Sequence, residues 1–392
     1  METTVLPAKK RIDSIDTLRG IIMIIMALDH VRDFFHINAM TGNPTDPATT
    51  TPILFFTRWI THFCAPVFVF LAGTAAFLAG RKGTKQQLSA YLIKRGLWLM
   101  LLDICIFNLI FSFDPQYHFV GLEVIWVTGI SMIILAVVLY LPLPLILLTG
   151  AIIVAGHNFL DGFNAAQGTT PSMLWSLLHQ QSFRPLGGGR LLAVLYPLLP
   201  WPGIMLLGYG MGTLFVQSYD PVKRRKLLTI IGTILVLFFL LLRWANIYGD
   251  LVPWSVQKNT TATIMSFFNL TKYPPSLLFC CMTIGPALIL LAWLEKTTGK
   301  WKNYAMIYGR VPLFYYLFHF FVIHLTVTII YFVNGHTLSE AGGMILFRPA
   351  DFGYPLGVVY LIWIALVTAL YPVCKWYSRY KGSHDYWWLT YL

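Results

Sequence analysis

Residues 19–36, RGIIMIIMALDHVRDFFH, are apolar enough to cross a bilayer, yet they include Arg19, Asp29, His30, Arg32, Asp33 and His36. An ionisable group at mid-membrane costs roughly 2.5 to 3.5 kcal/mol on insertion scales and is usually turned toward protein or water. At about 100° per helical residue, Asp16, Arg19, Met23, Met26, His30 and Asp33 fall on one stripe. Asp29, Asp33 and His36 share a neighbouring stripe, with Arg32 beside it. A carboxylate next to an imidazole fixes its tautomer and raises its basicity, which suits a general base taking a proton from a hydroxyl or amine. Asp29 or Asp33 could supply that partner to His30. The plainer alternative is a set of buried ion pairs locking helices together, a weaker account of six such side chains in eighteen residues.

Other positions could join the same site. In FTRWITHFCAPVFVFLAG, Arg58, His62 and Pro66 recur every four residues and share a face. Lys94 and Arg95 form a basic pair that either snorkels to lipid phosphate or meets a phosphorylated ligand. In GRVPLFYYLFHFFVIH, Arg310 precedes Tyr315 and His319, which lie one turn apart. Each has a structural reading as well: a proline-kinked helix for the second stretch, an aromatic packing face for the last.

The elements that must position these groups follow from composition. Of 392 residues, 57% are hydrophobic and 11% charged, against about 25% charged in a soluble domain. Ten mainly apolar stretches near the length of a crossing helix lie at roughly 15–38, 52–80, 88–111, 121–141, 143–160, 191–217, 226–247, 274–294, 308–333 and 354–376. The expected fold is an all-α, polytopic membrane bundle of about ten transmembrane helices, with residues 1–392 forming a single integral-membrane domain. Alternate connections separate the charge. Sixteen Lys and Arg lie within 9–11, 81–85, 223–226, 296–302 and 375–381, against Arg184, Arg190, Lys258, Lys272 and Arg348 on the other side. The positive-inside rule then puts the N-terminus and C-terminus in the cytoplasm. The net charge of +12 is thus a topological signal plus attraction to anionic lipid, not a nucleic-acid footprint. The connections 161–190 and 248–273 either cover an outward-facing cleft or are merely solvated.

The five cysteines show neither metal-ligand spacing nor a disulfide pattern, and no metal is expected. A Walker A loop, a Gly-x-Ser-x-Gly elbow and an HExxH helix are also absent from the sequence. The segment 196–212, YPLLPWPGIMLLGYGMG, combines prolines with small residues and is read as shaping a cavity.

RIDSIDTLRGIIMIIMALDHVRDFF followed by FCAPVFVFLAG resembles the opening of the heparan-alpha-glucosaminide N-acetyltransferase-like family of bacterial membrane proteins. PLLPWPGIMLLGYGMG, VPLFYYLFH and YPVCKWYSRYK resemble its later blocks. Arg19 and His30 also resemble the Arg and His motif of the wider membrane acyltransferase superfamily. The resemblance implies transfer from acetyl-CoA, or another acyl-CoA, to a carbohydrate, polyol or amine in the bacterial cytoplasmic (inner) membrane, with a homodimer allowed. On this expectation CoA phosphates meet basic residues such as Arg19, Lys94 or Arg95. Asp16, Arg310, Tyr315 and His319 are grouped with them as donor-binding positions. The catalytic histidine is His30 first, then His36 or His62. It deprotonates the acceptor or carries the acyl group itself, while Arg32, Arg58 or Tyr315 stabilises the oxyanion. The competing class is a proton-coupled transporter using the same Asp, His and Arg cluster as a relay.

Overall fold

The computed structural model describes residues 12–39, 42–46, 49–81, 83–163, 165 and 169–391. Lys9, Lys10, Arg11 and Lys82, which entered the charge count, lie outside the described residues. Fifteen α-helices follow in chain order: α1 (Asp13–Phe35), α2 (Pro52–Thr61), α3 (Cys64–Gly80), α4 (Lys85–Leu101), α5 (Asn108–Ser112), α6 (Val124–Val138), α7 (Leu143–Gly156), α8 (Thr170–Leu178), α9 (Trp201–Met211), α10 (Pro221–Ala245), α11 (Thr260–Phe268), α12 (Leu277–Leu294), α13 (Lys300–Arg310), α14 (Pro312–Val333) and α15 (Leu356–Ser383). Their starts are locally encoded. Thr51, Thr84, Asp220 and Ser276 each accept a backbone N–H of the first turn, and Thr84 with Gln87 forms a reciprocal capping box.

Among the described residues, seven helical spans are long and apolar enough to cross a membrane, so the chain is a helical membrane protein. Of the ten stretches read from sequence, the three corresponding to α1, α6 and α9 fall outside that set. Charge excludes α1, while α6 and α9 are short, at 15 and 11 residues. The span 52–80 breaks at His62–Phe63, where Pro66 cannot donate to the His62 carbonyl. The span 85–112 contains a π-helical turn, Leu102–Phe107, that carries buried Asp103.

The all-α expectation needs one correction. Residues 121–141 and 191–217, read as continuous helices, begin in a three-stranded sheet: β1 (Phe119–Leu122), β2 (Ser182–Gly187) and β3 (Arg190–Val194), in the order β1-β3-β2. β1 runs parallel to β3 with Phe119 opposite Leu191, and β2 runs antiparallel to it. Gly187, Gly188 and Gly189, all at positive φ, turn the β2–β3 hairpin. The Asn108 amide holds Gly121 through both its backbone N–H and its carbonyl. A short apolar run such as LLAVL reads equally well as strand or buried helix, so sequence alone could not separate them.

At the centre lies α1, packed against α2, α3, α12, α13, α14 and α15. Its crossing with α13 is backbone to backbone, made possible by two glycines. A Cβ at Gly20 would overlap the Ala305 carbonyl, and one at Gly309 the Asp16 carbonyl. The segment read as cavity-shaping packs in the same way, with Gly208 of α9 against the Phe70 carbonyl of α3. Two arginines fix the connections around the far end of α1. Arg243 donates to the carbonyls of Val252, Ser266, Phe267 and Asn269 at 2.8–3.0 Å. Arg348 donates to those of Phe34, His36 and Phe352 at 2.9–3.1 Å. Satisfying several carbonyls with one guanidinium offsets the cost of burying it.

Candidate active site in the bundle

A cavity of about 400 Å³ runs beside α1. Its lining follows that helix from Arg19 to Phe34, roughly 22 Å at 1.5 Å per residue. Near the N-terminal end of α1 it is bounded by Arg19, Arg95, Arg310 and Lys381, with Tyr91 among them. The α1–α13 crossing brings two of these together. Arg19 donates to the Gly309 carbonyl and to Asp16, each at 3.3 Å, and Arg310 stands 3.9 Å from Asp16. The middle is apolar, walled by Met23, Met26, Ala72, Ala76, Leu92 and Leu99.

The other end is polar again, with Asp29, His30, Asp33, Arg58, Glu123 and Lys272 joined by Tyr196, Tyr273 and Tyr316. Asp29 accepts from Arg32 at 2.8 Å and also from Arg58, and Asp33 accepts from the same Arg32 nitrogen at 2.7 Å. Two carboxylates and two guanidiniums thus neutralise each other without engaging the histidine. Such mutual pairing is how charges are tolerated away from water.

His30 finds a different partner from the one expected. Neither Asp29 nor Asp33 orients it. Its Nδ1 lies 2.7 Å from Nε2 of His319 on α14, and His319 Nδ1 lies 2.6 Å from the Tyr315 carbonyl. The carbonyl can only accept, so His319 Nδ1 carries a proton. In neutral His319, Nε2 then accepts from His30 Nδ1–H. That leaves His30 Nε2 with its lone pair, the form a proton acceptor requires. The carboxylates are diverted because Arg32 and Arg58 offer charge-assisted bonds stronger than a neutral imidazole can. Tyr316 and Phe320 pack against His30, and Phe34 and Phe111, which also line the cavity, pack against Phe320. Phe320 lies 4.0 Å from His30 between ring centroids, and Phe34, Phe111 and Phe320 meet pairwise at 5.9–6.3 Å.

The remaining sequence candidates divide clearly. Arg58 lines the cavity, whereas Arg32 sits behind it between the two carboxylates. His36 accepts the Asn38 N–H at 3.2 Å outside the cavity. His62 is buried against Phe279, also off the lining. Asp16 ties Arg19 and Arg310, and Tyr315 stacks on His319 at 4.9 Å. Arg95 lines the cavity while Lys94 is exposed on another face of α4. Glu123, Lys272, Tyr273 and Lys381 were not singled out. Glu123 had a usable signal, as the one acid opening a long apolar run; Lys272 and Lys381 had been counted only as topology.

A helical integral membrane protein with a charged internal cavity beside its first helix is the class these features define. The chain belongs to the family described as "Heparan-alpha-glucosaminide N-acetyltransferase, catalytic", whose family model matches residues 11–242, more than half of its length. It is therefore a member of a membrane acetyltransferase family, and a transferase. No individual curated protein matches the chain significantly. The matched region contains His30, Asp29, Arg58 and Glu123, and it ends before His319, Lys272, Arg310 and Lys381.

Proposed function

We propose that the protein moves an acetyl or short acyl group from cytoplasmic acyl-CoA, through the bundle, to a hydroxyl or amine of a sugar-like acceptor beyond a bacterial inner membrane. One observation carries this reading: a single cavity has four basic side chains at one end and His30 at the other. The basic end suits CoA phosphates, and the apolar middle suits the extended arm that bears the thioester. With α1, α6 and α9 counted, the chain crosses ten times and both termini are cytoplasmic. Arg19, Arg95, Arg310 and Lys381 then all fall in the cytoplasmic half of the bundle, and Arg58, Glu123 and Lys272 in the opposite half. Lining drawn from α1 through Lys381 of α15 supports residues 1–392 acting as one acyltransferase unit.

In the chemical step His30 Nε2 takes the proton of the acceptor O–H or N–H as that atom attacks the thioester carbonyl. A C–O or C–N bond forms, the C–S bond breaks, and CoA leaves as the thiolate, to be protonated. His319 keeps His30 in the competent tautomer. Arg58 or Lys272 faces the charge developing on the carbonyl oxygen.

The test is thiol release from acetyl-CoA by purified protein across a panel of amino sugars and polyols, with His30→Ala alongside. Acceptor-dependent release by the wild type and its loss in the variant are expected. Equal release from both proteins would overturn the assignment. A proton-coupled transporter would instead move solute into proteoliposomes with no acyl-CoA present.

A further inference from the structure

At the end of α7 the chain tightens into a 3₁₀ turn, His157–Leu160, before the connection that leads into α8. The turn sets His157 and Asp161 four residues apart, and the C-cap of α8 brings in His179. One ligand atom from each of the three lies within 4.8 Å of the others. None of them lines the cavity beside α1.

Both histidines are enclosed, at 3% and 4% exposure. His179 Nε2 meets Asp161 Oδ1 at 3.0 Å, and Asn158 donates to the other carboxylate oxygen at 2.8 Å. His157 has no such settlement. Both its ring nitrogens are buried without a well-formed hydrogen bond, and the Pro275 carbonyl beside the ring can serve only its N–H, leaving the other nitrogen's lone pair without a donor. Buried polar groups are nearly always paired, so this ring, held against the His179–Asp161 pair, lacks a partner that accepts a lone pair.

We propose that His157, Asp161 and His179 bind one divalent transition-metal ion of the zinc class, with water in the fourth position. Two imidazoles and a carboxylate are a donor set zinc takes, whereas calcium and magnesium favour oxygen alone. At Zn–ligand bonds of about 2.0–2.1 Å, tetrahedral ligand atoms stand roughly 3.4 Å apart. The His179–Asp161 pair, at 3.0 Å, is already near that spacing, and the His157 ligand atom, within 4.8 Å of both, has to close by at most about 1.4 Å. Asn158 is fixed in turn by the Leu277 N–H at 2.9 Å, so the Asp161 carboxylate is held from behind.

The bound ion braces the far end of the bundle and takes part in no bond-making step. The Leu177 and Leu178 carbonyls, just before His179, accept Leu198 N–H and Leu199 N–H at 2.8 Å, close to Tyr196. Leu277 follows the segment bearing Lys272 and Tyr273. Metal would therefore stiffen the two segments that carry Tyr196, Lys272 and Tyr273 into the cavity. This inference does not depend on the acyl-transfer reading.

The test uses full-length, tag-free protein in detergent, stripped by chelator and titrated with zinc chloride or, separately, cobalt chloride. Expected are about one zinc retained per chain and an unfolding midpoint that rises with zinc concentration. Cobalt should give the visible absorption of a tetrahedral nitrogen and oxygen site without a thiolate band. Folded His157→Ala and His179→Ala lose the metal, while Cys105→Ser, which removes an exposed thiol, retains it. Wild type that retains no zinc, or folded histidine variants that keep it, would overturn the proposal. If neither histidine variant folds, the wild-type cobalt spectrum decides, a thiolate band or an octahedral spectrum counting against it.

Discussion

His319 holds the Nδ1 side of His30 across 2.7 Å although the two residues are separated by 289 positions in the chain. The proton on His319 is fixed by a backbone carbonyl of its own helix, so α14 dictates the tautomer of a histidine on α1. His319→Ala is expected to lower kcat about 10²-fold, in the range of a misdirected general base. The KM for acetyl-CoA should hardly move. His319→Gln, whose amide oxygen can accept from His30 Nδ1–H, should recover part of the loss. Steady-state thiol release checks both, and an unchanged kcat in His319→Ala would remove His319 from the mechanism.

The basic end makes a separate prediction. Arg95→Gln should raise the KM for acetyl-CoA about tenfold, the worth of one charge-assisted hydrogen bond of about 1.4 kcal/mol. Lys94→Gln should stay within about twofold, because Lys94 is exposed and off the lining and surface charges contribute little. Initial rates over a range of donor concentrations separate the neighbours.

Asp29, Arg32 and Arg58 form one network, so their deletions should not add. Arg58→Met strips Asp29 of one of two arginines and should lower stability by about 3 kcal/mol. Asp29→Asn in the same background should restore part of that loss, since the uncompensated carboxylate is gone. Thermal unfolding of the two single variants and the double variant in one detergent gives the coupling energy, and strict additivity would contradict the network.

Gly20→Leu should separate α1 from α13 at the cost of about 3 kcal/mol, the upper range for overpacking. The obstruction is the Ala305 backbone, which no rotamer change relieves. The same change at Gly357, where nothing lies within reach of a Cβ, should be mild. The yield of monodisperse protein and its unfolding midpoint report the difference.

The first helix was readable because lipid prices charge so steeply that its stripe had to mean burial against protein. The apolar stretches likewise anticipated most helices within a few residues. What could not be read were choices made between distant segments. Arg58 draws Asp29 away from His30, and no spacing within α1 encodes that. His319 looked like one histidine in an aromatic face, and its role arises only from how α14 lies on α1. β1 and β3 hid in apolar runs that suit either period. His157, Asp161 and His179 carry no recognised metal spacing, because a folded connection rather than a local motif brings the third residue in.

The aromatic cluster of Phe34, Phe111, Tyr316 and Phe320 that lines the cavity beside His30 has an electrical consequence. A path that joins donor and acceptor compartments is also a path for ions, and each elementary charge crossing down the membrane potential dissipates about 2.3 kcal/mol per 100 mV. On the proposed acyl-transfer reading, bulky rings beside His30 narrow the aqueous route where donor and acceptor would meet. Thinning the cluster, by Phe320→Ala for example, would turn a catalyst into a slow short circuit, visible as proton leak in sealed vesicles before any loss of turnover.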